Sequence, residues 1–319
     1  MIVVGGEALV DLVPAPATVR GELGPLLPRL GGGPYNTAVA VGRLGAPVSF
    51  LSRVSTDAFG DALLDRLLAS NVRVDLVQRG AEPTTLAVVT LAADGSARYT
   101  FHVQGTADRL VTDPGPLADG VTTLALGTLS LVLEPGASVY EAMLRREAAR
   151  GLLTVLDPNI RPGLIDDPAA YRARFATWLP DVRVLKVSEE DARWLADLSD
   201  DADTGPVVRE WLSAGVDAVV LTRGGDGLTV VTGQGGRIDV PAVPARVADT
   251  IGAGDTVHAA LLVWLHGHRV GATGGASADI AKLAPAAWTE ALGFAARAAA
   301  VTVGRVGAEP PYAAELNTP

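Results

Sequence analysis

The stretch Val247–Leu265, VADTIGAGDTVHAALLVWL, runs from one acid, Asp249, through a Gly-Ala-Gly turn to a second, Asp255, and then into a long apolar segment. A helix N-terminus carries unpaired N–H groups and a partial positive charge, so a glycine turn placed there can wrap closely around a phosphate. Gly252 and Gly254 permit the backbone angles and the close approach this needs. Asp255, in the first turn, then has two readings. It is a carboxylate that complements the helix dipole, or a general base on a hydroxyl directed at the bound anion. From these letters alone both stand.

Outward from this turn, short β-branched runs alternate with helical patterns. IVVG, VSFLS, TTLALG, LLTVLD, RVLKVS, DAVVLT and LTVVT read as strands; FGDALLDRLLASN (Phe59–Asn71) and SVYEAMLRREAARG (Ser138–Gly151) read as amphipathic helices. The second closes on glycine, as helix C-termini often do. Strands alternating with helices predict a doubly wound, largely parallel sheet. Two segments break the rhythm. Ala8–Leu30 is rich in proline and glycine and looks extended, and Thr84–Val103 reads as two strands about an Ala-Asp-Gly-Ser turn. They predict a small antiparallel sheet acting as a lid, from about residues 8–30 and 84–105, on one domain spanning 1–319. GATGGASAD (Gly271–Asp279) reads as a surface loop.

The bulk numbers narrow the class. The chain has 319 residues, 48% hydrophobic and 19% charged, enough for a real core. A formal net charge of −10 argues against a nucleic-acid partner. The absence of cysteine excludes disulfides, zinc–thiolate sites and cysteine nucleophiles. No apolar stretch reaches the length of a membrane span, and the opening MIVVGGEALVDLVP lacks the basic start of a secretory signal. A cytoplasmic protein without a membrane partner is expected.

A second glycine cluster, LGGGPYNTAVAVGRLG, covers Leu30–Gly45. Dinucleotide binding would need G-x-G-x-x-G and an acid about 20 residues on; here the sixth position is Asn36, and no suitable acid follows. There is no G-x-x-x-x-G-K-[ST] either, which excludes a Walker-type NTPase. The stretch is then a tight turn opening a helix, with Pro34 near its start. Alternatively Gly32 and Gly33 let the backbone approach a polar ligand, while Asn36 offers a donor and an acceptor to hydroxyls.

Together the two glycine stretches resemble the signatures of the ribokinase-like, or PfkB-type, carbohydrate kinases. Further pieces fall in family order: GEALVDLVP (Gly6–Pro14), STDAFGDALLDRL with Asp57 and Gly60, LDPNIRP (Leu156–Pro162), LKVSEEDARWL, LTRGGDGLTVV (Leu221–Val231) and VTVGRVGAEPP. The resemblance covers nearly the whole chain and is closest to bacterial fructokinases. It implies a three-layer α/β/α sandwich with a mostly parallel central sheet and a small β-sheet lid. It implies a phosphotransferase acting on an alcohol group, which moves the ATP γ-phosphoryl to a sugar hydroxyl. By carry-over, Asp255 removes the hydroxyl proton and the Gly252, Ala253 and Gly254 amides form the anion hole. Asp11, Gly32, Gly33, Asn36 and Arg161 face the sugar. Lys186, Ser188, Thr222, Gly224, Gly225 and Gly227 serve the nucleotide, and Asp191 reaches Mg²⁺ through water. A monovalent cation such as K⁺ is implied beside the anion loop, and a homodimer through the lid. A 2-keto-3-deoxygluconate kinase and a ribose or nucleoside kinase are alternatives within the family; a non-catalytic sugar- or nucleotide-binding regulator is the alternative outside it.

The chain departs from the family at several points. Ser188 and Asp191 stand where many relatives have asparagine and glutamate, and Ala296 stands near a usual asparagine on the adenine side. His102 and Val103 replace a tyrosine and an arginine of bacterial fructokinases, which bears on the choice of sugar. Glu7 reads equally as a surface residue or as a neighbour of the sugar loop. His266 and His268, two apart, share no helix face and read as solvated, while His258 reads as a packing residue.

Overall fold

The computed structural model describes residues 1–15, 24–91, 97–270 and 279–316. Its strands are β1 Ile2–Gly5, β2 Leu9–Pro14, β3 Leu26–Gly31, β4 Val48–Ser55, β5 Val72–Gly80, β6 Thr85–Leu91 and β7 Ala97–His102. They continue with β8 Thr123–Gly127, β9 Leu153–Asp157, β10 Val184–Ser188, β11 Ala218–Thr222, β12 Leu228–Thr232 and β13 Arg237–Val240. The main helices are α1 Gly33–Arg43, α2 Ala58–Ala69, α3 Gly136–Ala149, α4 Pro168–Trp178, α5 Glu189–Leu195, α6 Gly205–Ser213, α7 Ala253–Gly267 and α8 Pro285–Val303.

Nine strands form one sheet in the order β13-β12-β11-β10-β9-β8-β1-β4-β5. From β5 to β11 every neighbour is parallel; β12 and β13 return antiparallel through short turns. Alternate side chains feed two cores. Ile2, Val4, Val155 and Val220 pack under α1, α2, α7 and α8, with Tyr35, Leu63, Leu261 and Trp288. Val3, Leu156 and Val219 face the other way, under α3–α6, with Tyr140, Trp178, Ala192 and Trp211. Burial on both faces is why these strands read as unbroken apolar runs. The result is the expected three-layer sandwich.

The two irregular segments supply the four strands of a second sheet, in the order β3-β2-β6-β7, which is mixed and not antiparallel as expected, because the two hairpins join through the parallel pair β2–β6. The turn between β6 and β7 and nearly all of the glycine-rich loop at 271–279 lie outside the described residues. Asp57 ties this sheet to the main body: it caps α2 through the Gly60 amide at 2.8 Å and accepts the Thr84 amide at 2.9 Å and hydroxyl at 2.7 Å. The glycine expected to end α3 is Gly151, with φ 85°.

Candidate active site

From β1, at the centre of the sheet, the chain first builds β4 and β5 on one side and then β8 to β11 on the other. Such a reversal opens a crevice at the carboxyl ends of the strands. A cleft of about 690 Å³ lies there, between the sheet edge and the small sheet. Among its lining residues are Asp11, Gly32, Gly33, Asn36, Arg161, Lys186, Ser188, Asp191, Thr222, Gly252, Gly254 and Asp255. Asp157, Ser188 and Thr222 are the last residues of β9, β10 and β11, as their apolar leads predict.

Asp255 lies in the first turn of α7, partly buried at the floor of the cleft. Its Oδ2 accepts a 2.9 Å hydrogen bond from Asn36 Nδ2, and Thr37 Oγ1 reaches its carbonyl at 3.5 Å. Asn36 therefore spends a donor on the carboxylate instead of offering both groups to a ligand; its Oδ1 is buried without a partner among the described residues. Burial pushes the Asp255 carboxyl up to about 6, with the Asp157 charge adding and the Asn36 bond, Lys186 and Arg161 opposing. Near pH 7 the group is mostly ionised and more basic than an ordinary aspartate, as a general base should be.

Gly252 caps α7 with φ 77°, and a Cβ there would lie 2.7 Å from that of Ala308. The amides of Gly252, Gly254 and Asp255 have no acceptor among the described residues. Ala253 differs from the expectation: its amide turns back to the Thr250 carbonyl at 3.3 Å, so the free donors are those on either side of it. Asp249 fixes the loop, accepting the Ile251 amide at 3.0 Å and the Gly307 amide at 2.8 Å. The segment carrying Gly307 and Ala308 is itself anchored where Arg66 donates to the Ala308 carbonyl at 2.6 Å.

The small sheet forms the opposite wall. Asp11 on β2 points into the cleft past Gly31, where a Cβ would meet its Oδ2 at 2.4 Å. Burial raises its carboxyl to about 6, against the Arg161 charge, while Asp255 adds to the rise. Tyr99 and Phe101 on β7 stack at 6.0 Å and 17° and line the same cleft. Strand alternation sends His102 to the outer, exposed face. Of the two replaced positions, His102 therefore does not touch the aromatic wall, while Val103 is buried. Arg161 is braced by the Asn159 carbonyl and Oδ1 at 3.0 and 2.8 Å.

On the other side of the cleft, Ser188 caps α5 in a reciprocal box with Asp191. Asp191 accepts the Ser188 hydroxyl at 2.7 Å and the Ile160 amide at 2.9 Å, so its carboxylate is part of the fold, while Glu190 is the exposed acid beside it. Lys186 is neither solvated nor free: it is buried, with Nζ 2.7 Å from Asp157 Oδ2. Gly224, Gly225 and Gly227 form the turn between β11 and β12, outside the cleft lining, and a Cβ on Gly227 would strike the Val240 carbonyl at 2.2 Å. Ala296 is buried in α8.

Residues 1–314 match the pfkB family of carbohydrate kinases. The chain belongs to that family. It is 40% identical over 267 residues to the fructokinase of Rhizobium leguminosarum bv. trifolii, covering 83% of this chain and 79% of the relative. The fructokinase of Xylella fastidiosa, solved with bound ATP, superposes with a TM-score of 0.85 at 27% identity, over 99% of this chain and 96% of that one. A double mutant of the Vibrio cholerae O395 fructokinase, solved with fructose, ADP and a potassium ion, gives 0.82 at 25%, over 99% and 96%. This chain is a fructokinase-like sugar kinase, a phosphotransferase with an alcohol acceptor.

Some residues of the kinase's cleft were not legible. Glu7, read as equally a surface residue, is buried: Oε1 takes the Gly33 amide at 3.1 Å and the Thr128 hydroxyl, and Oε2 the Ser130 hydroxyl at 2.5 Å. It ties the first glycine turn to the end of β8. Thr128 and Asn159, with φ 56° and 41°, also line the cleft. Tyr99 and Phe101 carried a signal in the alternation of ARYTFH, since alternate positions share a face. His258 is buried as expected; His266 faces Thr122 Oγ1 at 3.4 Å, and His268 is exposed as expected while one face of its ring stacks on Trp264 at 3.8 Å.

Proposed function

We propose that the protein transfers the γ-phosphoryl group of ATP to a hydroxyl of fructose or a closely related ketose. The observation that carries this reading is Asp255, held by Asn36 next to the free amides of Gly252 and Gly254 at the floor of a cleft. The sugar hydroxyl gives its proton to Asp255 as its oxygen bonds to the γ-phosphorus; the bond to the bridging oxygen breaks and ADP leaves. The amides receive the charge on the transferring group, in a reaction governed by alignment and electrostatics. Asp11, Arg161 and the stacked Tyr99 and Phe101 hold the sugar under the small sheet, which serves as a lid over the single kinase domain. Ser188, Thr222 and the turn at Gly224–Gly227 border the nucleotide.

Bound with ATP, Mg²⁺ would neutralise phosphate charge, its waters held by the acids that open α5. Magnesium keeps most of its waters and needs few protein carboxylates, which suits an exposed Glu190 above an Asp191 locked into the fold. Potassium is proposed beside the anion loop, where the Asp249 carboxylate supplies negative charge. No helix among the described residues is long and apolar enough to cross a membrane; a cytoplasmic location is proposed. So is a homodimer through the outer face of the small sheet, where Leu26 is 42% exposed; light scattering of the wild type and of Leu26→Lys tests it.

A second reading has one observation in its favour. The Arg161 guanidinium in the cleft suits a carboxylate, and so a sugar acid such as 2-keto-3-deoxygluconate. ADP release measured across fructose, ribose and 2-keto-3-deoxygluconate decides. Preference for fructose supports the first reading, preference for the acid the second, and binding without turnover of any sugar overturns both.

A further inference from the structure

Beneath the anion loop lies a group of buried charges that phosphoryl transfer as described does not use. Lys186 and Asp157 are 4% and 3% exposed, and their side chains meet at 2.7 Å. A Cβ on Gly254 would lie 3.2 Å from Lys186 Nζ, so the ammonium sits close against the loop at Gly254. Asp157 uses one oxygen for this pair; its Oδ1 is buried without a hydrogen-bond partner among the described residues. His258, one turn beyond Asp255 on α7, brings Nδ1 to 3.7 Å from Asp157 Oδ2, and its Nε2 has no partner among the described residues. Burial, with Lys186 adding, depresses this imidazole to about 3, so it is neutral and does not compete for Asp157.

Burying two charges is costly, and a hydrophobic pair of the same volume would stabilise the fold as well or better. The pair therefore calls for a role other than stability. Burial alone would discharge the ammonium; Asp157 overcomes this and Lys186 stays charged. The amine is also within electrostatic range of Asp255 and Asp191. Without Asp157, the acids left within its range would be Asp191 and Asp255.

We infer that Asp157 is a positioning residue, whose carboxylate pins the Lys186 ammonium against Gly254 and keeps it from pairing with Asp255. A fixed dipole, Asp157 to Lys186, then sets the charge felt at the floor of the cradle. The inference rests on the proposed kinase mechanism only in naming Asp255 as the base. The charged groups facing Asp255 are Asp157 on β9, Lys186 on β10, Arg161 on the loop after β9 and Asp11 on β2.

The test is a ¹³C-NMR titration of labelled aspartate in the full-length protein, with the Asp255 signal assigned by its loss in Asp255→Asn. Asp157→Asn should lower the Asp255 midpoint by about one pH unit, because a like charge leaves and the ammonium is released toward it. Lys186→Met should raise it. The double variant Asp157→Asn/Lys186→Met, which buries no charge and so guards against misfolding, should bring it back close to the wild-type value. A midpoint that stays put in both single variants, or moves the same way in both, overturns the inference. Turnover is a separate readout. If the wild type phosphorylates no sugar, the kinase reading fails while the titration still decides the role of Asp157.

Discussion

Asn36, on the first helix of the sheet's central crossover, donates its side-chain amide to Asp255 across 219 residues of chain. This bond joins the two glycine turns into one site and holds the Asp255 carboxylate in place. Asn36→Ala should remove a hydrogen bond that favours the ionised carboxylate. The acid limb of kcat should move to higher pH and turnover should fall roughly tenfold, near the scale of one charge-assisted hydrogen bond. A pH–rate profile of the variant checks both.

Asp255→Asn should cut kcat by roughly 10²–10⁴, the scale of a lost general base, while calorimetry shows ATP binding retained. A change of less than about threefold, against that scale, would reduce Asp255 to a helix cap.

The carboxyl of Asp255, raised to about 6, has a consequence for stability as well as for rate. Deprotonation creates the base, so kcat/KM should rise with pH through about 6 and then level. For the fold the sign is opposite. The native state holds this proton more tightly than the unfolded chain, so the site favours folding below the ordinary value of 3.8 and loses that contribution as pH rises through about 6. Asp255→Asn should thus melt a few degrees above the wild type near neutral pH, a gap that closes as pH approaches 4 in differential scanning calorimetry.

Asp11→Ala should raise the sugar KM at least tenfold and leave the ATP KM within about twofold, since its carboxylate accepts hydroxyl hydrogen bonds from one substrate only. Initial rates with each substrate varied in turn provide the measurement.

Gly252→Ala should both disorder the cradle and destabilise the fold. A side chain at φ 77° is strained, and the new methyl would press on Ala308. A stability loss of about 1–3 kcal/mol by denaturant titration is expected, with kcat reduced more than either KM.

Much of this was written in local patterns. Alternating runs announced the parallel sheet, because strands covered on both faces must be apolar throughout. The segments around Asp11 and Phe101 announced a second sheet by their failure to alternate with helices. The two glycine turns and Asp255 were legible because a helix start needs particular residues at particular offsets. What was not legible depends on pairs far apart in the chain. Glu7 reads as an ordinary acid until Thr128 and Ser130 fold against it, and Lys186 reads as a partner for the nucleotide phosphates until β9 brings Asp157 alongside. The Ala253 amide is spent on Thr250 through a turn geometry that three letters do not encode.

Within the small sheet, β2 belongs to one hairpin and β6 to the other, yet they pair in parallel from Leu9 with Thr85 to Leu12 with Val88. Asp11 rides on the first hairpin, Tyr99 and Phe101 on the second. The ladder welds the two into one plate, so any swing of that plate carries the acidic and the aromatic grips together. A substrate that satisfies only one of them cannot draw its half of the wall inward alone. On the proposed reading of this sheet as a lid, selectivity between sugars would then rest on a single yes-or-no event of closure in place of a sum of separate contacts.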